Sequence, residues 1–237
     1  MRTSQTSIGP GGLKTARVDS LEPPHQAAAS PWCSSAGKRA FDAIVAFLAL
    51  AIIWPAFLLV AAAIKLSSPG PVLFRQMRVG RQGRLFELMK FRSMRVTTED
   101  LGPRVTRQND PRVFPVGRLL RKWKLDEIPQ LLNVLRGDMS LVGPRPDLPE
   151  FCATLDQDTC RILELRPGVT GAATLVYRNE ERILAEQEIR HLNAYYLENL
   201  YPAKVRLDLD YACKASFVGD LTILARTIAV ILSPAHP

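Results

Sequence analysis

The residues of this chain best suited to chemistry are the adjacent carboxylates Asp126 and Glu127. Pro129 follows Asp126 by three positions, and a helix tolerates proline only in its first turn, so the pair sits at or near a helix N-terminus. Two readings fit that position. In one, Asp126 is a plain N-cap contributing about 1 kcal/mol and Glu127 is a first-turn acid favoured by the helix dipole. In the other, the two carboxylates share a divalent cation, and their hard oxygen ligands suit Mg2+. The dipole and neighbouring cations then keep Asp126 ionised, and an ionised carboxylate can attack phosphorus to form an acyl phosphate. Such chemistry needs cations around the phosphates. Arg118, Arg121, Lys122 and Lys124 precede the pair, and Arg145 and Arg166 lie in later turns. The planar guanidinium fork fits phosphate oxygens.

The elements that must position these residues can be read from the pattern. Helices are expected over 117–124 and over 126–135, the second ending at Gly137. Residues 140–149 are too rich in proline for a helix interior, 148–165 are helical in pattern, and 166–171 form a tight turn. Residues 180–200 and 205–230 read as further helix. Upstream, 72–79 and 85–91 are rich in strand formers and are joined by Gly80–Gly83, which predicts a β-hairpin. Arg75, Arg78, Arg81, Arg84, Lys90, Arg92 and Arg95 stud it, either as a solvated edge or as a surface for phosphates and lipid head groups. A polar loop spans 97–118.

Residues 43–64 are almost wholly apolar, long enough to span a bilayer. Pro55 lies near the middle and removes a backbone donor. Lys38 and Arg39 precede the segment and Lys65 follows it, so the positive-inside preference pulls both ends to the cytosolic side. These features predict a re-entrant hairpin broken at Pro55, in preference to a single span or a buried core helix. The apolar run begins only after Arg39, which argues against a cleaved export signal. Residues 1–36 lack apolar period and read as a disordered tail, followed by a membrane helix over 37–66 and a catalytic domain over 67–232.

Bulk properties narrow the class. At 237 residues and 47% hydrophobic, the chain can build a core. Its net charge of +8 seeks anionic partners. No helix-turn-helix, zinc-finger or aromatic stacking pattern points to nucleic acid. The cysteines Cys33, Cys152, Cys160 and Cys213 lack C-x-x-C spacing and read as reduced thiols. His25, His191 and His236 are too scattered for a metal cage or a catalytic triad.

Five segments in order carry a resemblance: KRAFD at 38–42, GPVLFRQMRVG at 70–80, FELMKFRSM at 86–94, LDEIPQLLNVLRGDMSLVGPRP at 125–146 and RPGVTG at 166–171. Over roughly residues 37–230 the chain resembles the bacterial sugar transferases, also called monotopic phosphoglycosyl transferases. The resemblance implies an α+β, mostly helical membrane-associated domain with a small β-hairpin and a re-entrant helix broken at Pro55. It implies that Asp126 attacks the β-phosphate of a UDP-sugar, forms a covalent phosphosugar enzyme and releases UMP. A polyprenyl phosphate, usually undecaprenyl phosphate, then takes the sugar-1-phosphate. Glu127 would help hold Mg2+, Arg121 and Arg145 would surround the site, Lys90 would serve similarly, and Arg166 would contact a nucleotide phosphate. The implied location is the cytosolic face of the bacterial inner membrane, among membrane lipids, and a homodimer is compatible with it. The chain departs from the family at GAATLVYRNEER, where Tyr177, Arg178, Asn179 and Glu180 replace part of the usual string, so the sugar preference stays open. No extra membrane helices are read, as in a minimal catalytic form. Rival readings are a Mg2+-dependent transferase without a covalent step and a non-enzymatic membrane scaffold whose basic face binds anionic lipid.

Overall fold

A computed structural model describes residues 28–95 and 105–233. The first 27 residues of the expected tail, part of the expected polar loop, and His25 and His236 lie outside them. Residues 28–36 do not behave as a tail. Pro31–Ser34 form a 3-10 turn, Ser30 N–H donates to the Ala212 carbonyl at 2.8 Å, and Trp32 Nε1 donates to Asp220 at 2.9 Å.

Helix α1, Ala36–Ser67, is 32 residues long, which corresponds to about 48 Å. Ser35 caps it, its Oγ accepting from Lys38 N–H at 3.0 Å. The helix is long and apolar enough to cross a membrane. The helix continues through Pro55 as one element, and there proline withholds the donor for the Ala51 carbonyl. Its N-terminal part packs through Phe41, Val45 and Ala46 against Val134, Leu141 and Phe86. Its C-terminal part packs through Phe57, Val60 and Ile64 against Phe91, Phe114 and Leu120. Between Ala46 and Ile64 no residue is buried, and Ile52 and Leu59 are 77% and 73% exposed.

Strands β1, Leu73–Val79, and β2, Leu85–Phe91, form the expected antiparallel hairpin in the register Leu73–Phe91 to Val79–Leu85. The turn between them uses left-handed Gln82 and Gly83. Helix α2, Pro115–Lys122, lies close against the chain leaving the hairpin: a Cβ on Gly117 would fall 2.0 Å from the Ser93 carbonyl oxygen. Helix α3, Gln130–Arg136, ends at Gly137 with φ 93°, as the sequence predicts. Asn133 on α3 satisfies the open edge of β2, accepting from Met89 N–H at 3.1 Å and donating to the Glu87 carbonyl at 2.8 Å.

Two short strands escape the sequence reading: β3, Ser140–Val142, and β4, Gly168–Thr170, pair in parallel. Each stretch is three residues long, too short to show a period of two. The expected helix over 148–165 reduces to α4, Pro149–Cys152, and a 3-10 segment Thr159–Glu164. Beyond β4 lies α5, Ala172–Val176. The expected long helix over 180–200 is broken into α6, Glu180–Ala185, a 3-10 turn Ile189–His191, α7, Leu192–Tyr195, and a π-helical turn Tyr196–Leu200. Helix α8, Tyr201–Lys214, has Pro202 in its first turn, and α9, Phe217–Leu232, follows a break at Ala215–Ser216 that splits the single helix expected over 205–230. Tyr196, Tyr201, Phe151 and Leu192 build the core beneath these short pieces.

Candidate active site

Helix α2 ends at Trp123, and Lys124 then adopts left-handed φ 54°, which costs a non-glycine residue of order 1 kcal/mol. This sharp turn delivers Leu125–Glu127 as a 3-10 segment ahead of α3. Asp126 is therefore not the cap of a long helix. Pro129 occupies the N-cap position of α3, and no side chain caps it. Instead the Asp126 side chain is buried, and its Oδ1 has no hydrogen-bond partner among the described residues. A buried carboxylate oxygen left unpaired is costly. It persists here because the surrounding turn and neighbouring cations fix its place.

Glu127 takes the ion pairs. Its Oε1 accepts from Arg145 Nη2 at 2.7 Å and from Lys90 Nζ at 3.1 Å. Lys90 comes from β2 and Arg145 from the turn after β3, so hairpin and loop meet at the carboxylate pair. Burial disfavours the Glu127 charge, yet Arg145, Lys90 and Lys124 outweigh it and hold the carboxyl well below its usual range. Burial and the Glu127 charge push Asp126 above the ordinary carboxylate value, against the pull of Lys90, Arg121 and Lys124. This is the reverse of the direction expected from the dipole and the basic neighbours. The two adjacent acids are thus driven apart: one locked in ion pairs, the other buried and unpaired.

A cavity of about 160 Å3 opens onto the pair. Of the residues singled out from sequence, Asp126, Glu127, Arg121, Arg145 and Lys90 all line it. Arg121 does not reach the carboxylate pair as its partner; its Nη2 is held by Glu181 at 2.5 Å. Arg166 is not part of the cavity lining. Its Nε donates to the Gly137 carbonyl at 2.8 Å beyond α3, where burial and the nearby Arg39 and Arg81 lower its pKa. The expected nucleotide-phosphate contact Arg166 thus lies outside the residues that line this cavity. Pro55 lies in α1, outside the cavity.

The cavity's far wall holds residues that sequence reading missed as a group: Arg78, Asp147, Glu180, Tyr196 and Lys204. Lys204 Nζ reaches Glu180 Oε2 at 2.7 Å and the Tyr196 hydroxyl at 3.1 Å. Burial raises Asp147, with Lys204 and Arg78 pulling the other way, and burial lowers Arg78, opposed by Asp147. Arg78 belonged to the basic series on the hairpin. That series divides in the structure: Arg78 and Lys90 face the cavity, exposed Arg75 pairs with Glu87 at 3.3 Å, and buried Arg92 donates to the Ser68 and Pro69 carbonyls. Lys204 and Tyr196 gave no signal, because their pattern is that of an ordinary helix.

The donor set fits a magnesium ion only in part from the protein. Asp126 offers an unpaired buried oxygen and Glu127 a second carboxylate, while no cluster of three or more metal-ligating side chains exists among the described residues. One or two carboxylates completed by substrate phosphates and water is the usual Mg2+ arrangement.

Comparison with known proteins adds an independent line. The family model for bacterial sugar transferases matches residues 33–234. The chain is 39% identical over 204 residues to the UDP-N-acetylgalactosamine-undecaprenyl-phosphate N-acetylgalactosaminephosphotransferase of Aeromonas hydrophila, covering 83% of this chain and 44% of that protein. It is 40% identical over 195 residues to the UDP-glucose:undecaprenyl-phosphate glucose-1-phosphate transferase of Escherichia coli (strain K12), covering 81% of this chain and 39% of that one. With the exopolysaccharide production protein ExoY of Rhizobium meliloti (strain 1021) it shares 37% identity over 212 residues, 83% of this chain and 86% of the relative. The chain thus spans less than half the length of the first two relatives and most of the third.

Proposed function

We propose, from the premise that the chain belongs to the bacterial sugar transferase family, that it moves a sugar-1-phosphate from a UDP-sugar to undecaprenyl phosphate through a covalent intermediate on Asp126. The observation that carries this reading is the Asp126 Oδ1, buried and unpaired at a cation-lined cavity while Glu127 absorbs the neighbouring ion pairs. In the first step a carboxylate oxygen of Asp126 attacks the β-phosphorus of the donor. The bond from that phosphorus to the bridging oxygen breaks, and UMP leaves with the electron pair. In the second step a phosphate oxygen of the lipid attacks the same phosphorus, the acyl-phosphate bond breaks, and Asp126 regains its carboxylate.

The chain's own residues prepare these steps. Lys90 and Arg145 keep Glu127 charged and fixed. Arg78, Arg145 and Lys204 give the cavity wall the positive potential that phosphoryl oxygens require. Raising Asp126 makes its carboxylate more basic and hence more nucleophilic once ionised. A Mg2+ ion held by Asp126 and Glu127 would supply charge neutralisation at the donor phosphates.

The prenyl chain of the acceptor cannot leave the bilayer cheaply, at roughly 0.8 kcal/mol per CH2, so the enzyme must work at the membrane surface. We read α1 as a re-entrant element on the cytosolic face of the inner membrane. It is anchored to the body at both ends, free of buried residues between Ala46 and Ile64, basic at both flanks, and relieved of a backbone bond at Pro55.

The test is rapid-quench incubation of the full chain in detergent with a panel of UDP-sugars labelled in the β-phosphate. The expected result is labelled protein and UMP for one donor, with both lost in Asp126→Asn. Release of UDP instead of UMP, or turnover with no protein-bound label, overturns the covalent mechanism.

A further inference from the structure

A second depression adjoins the catalytic cavity. It has a volume of about 530 Å3 and shares Arg121, Lys124 and Glu181 with the cavity as common lining. Its other walls come from α2, the start of α6, residues 107–110 and the end of α9. Arg118, Lys122, Arg178 and Arg182 line it, and none of them has an ion-pair partner among the described residues. Of the acids there, Asp110 is committed to Arg112 at 2.7 Å and Glu181 to Arg121. Like charges gathered without counter-charges repel one another and favour a bound anion. The apolar side chains of its lining are Val113, Val230 and Ile231.

Size points the same way. Pockets for small ligands usually measure about 300–1,000 Å3, so a 160 Å3 cavity takes the sugar phosphate end of a nucleotide sugar and not the whole molecule. The adjoining groove has room for the rest. We infer that this groove holds the nucleoside monophosphate end of the donor, with Arg121 at the junction between the leaving phosphate and the reacting one. This rests on the reading of a nucleotide-sugar donor given above. It replaces Arg166 with Arg178 and Arg182 as the nucleotide-side cations, and it places them in the segment where the chain departs from its family's usual string. Glu181 holds the Arg121 guanidinium at 2.5 Å, a carboxylate at the position a donor phosphate oxygen would take. A donor phosphate must displace it.

The experiment uses the full chain in detergent and calorimetric titration with UMP, inorganic phosphate serving as the control. Arg178 and Arg182 are exposed, so the Arg178→Ala/Arg182→Ala variant retains the fold. It is expected to weaken UMP binding at least tenfold, about 1.4 kcal/mol, and to raise the KM for the donor while leaving the KM for undecaprenyl phosphate unchanged. Glu181→Gln is expected to tighten UMP binding severalfold. Unaltered UMP binding in the double variant overturns the inference, as does a rise confined to the acceptor KM, which would make the groove a lipid-phosphate site. Binding of phosphate as tight as that of UMP also overturns it. If the wild type binds UMP in the groove yet transfers no sugar phosphate, the proposed reaction fails and the groove assignment stands. If it transfers normally while the variants bind UMP normally, the groove assignment fails alone.

Discussion

Replacing Asp220 with alanine tests how α1 is tied to the catalytic body. Asp220 is fully buried on α9 and accepts from Lys38 Nζ at 2.5 Å, Trp32 Nε1 at 2.9 Å and Tyr211 Oη at 2.6 Å. Lys38 is itself only 4% exposed. Truncation leaves its ammonium buried beside an empty position. Asp42, whose charge also reaches Lys38, is already engaged by Ser140 Oγ at 2.7 Å and Leu141 N–H at 3.2 Å. Breaking one side of a buried pair costs about 3–5 kcal/mol. The Trp32 and Tyr211 donors are half-buried and can turn to water, adding little. For a chain of this size each kcal/mol lowers Tm by about 2–4 °C, so a fall of roughly 6–20 °C is expected. The double variant Lys38→Met/Asp220→Leu removes both charges and should return to within about 2 kcal/mol of the wild type. Thermal unfolding in detergent followed by circular dichroism at 222 nm reads both. A single variant that loses under about 1 kcal/mol, or a double variant as unstable as the single, refutes the reasoning.

Three further outcomes follow from the same geometry. The Asp208 carboxyl, which accepts from Ala173 N–H at 3.0 Å, is pushed up to about 7 by burial. Its folded pKa lies above the unfolded one, so its contribution favours the fold most below about pH 4 and is lost as pH rises through 7, by about 4 kcal/mol in all. Urea midpoints at pH 5 and pH 8 should converge in Asp208→Asn, and an unchanged pH slope would sink the assignment. Arg145→Met leaves Glu127 with Lys90 alone, and losing a charge-assisted bond of about 1.5–3 kcal/mol should slow UMP release about 10- to 100-fold. A full rate in that variant would show that the ion pair is dispensable. Pro55→Ala restores a backbone donor worth roughly 3 kcal/mol to the helix and favours a straight span. With Cys33, Cys152, Cys160 and Cys213 replaced by serine, single cysteines at Ser34 and Ser67 should both label from the cytosolic side when Pro55 is present and from opposite sides in the variant. Opposite-side labelling already with Pro55 present would defeat the hairpin.

Local chemistry made much of this protein legible in one dimension. The strand formers of the hairpin with their Gly80–Gly83 connection, the Gly137 stop after α3, the apolar run of α1 and the Asp126–Glu127 pair with its basic neighbours all depend on residues close in sequence. Each was found where the pattern put it, apart from offsets of a residue or two. What required the fold were relations between distant segments. The parallel pairing of β3 with β4 joins residues 140–142 to 168–170, and neither piece is long enough to declare itself. The helix expected over 180–200 breaks because burying Leu184, Leu192, Tyr196 and Leu200 in one core overrides a propensity worth only tenths of a kcal/mol per residue. The division of labour between the two acids was equally hidden: their adjacency is written in the chain, but which one is paired depends on Lys90 and Arg145 arriving from β2 and from the turn after β3. Arg166 and Lys204 make the same point in opposite directions, since a motif position is no guarantee of proximity and an unremarkable helical lysine can end up in the cavity wall. Charge and burial act through space, and only tertiary packing sets those distances.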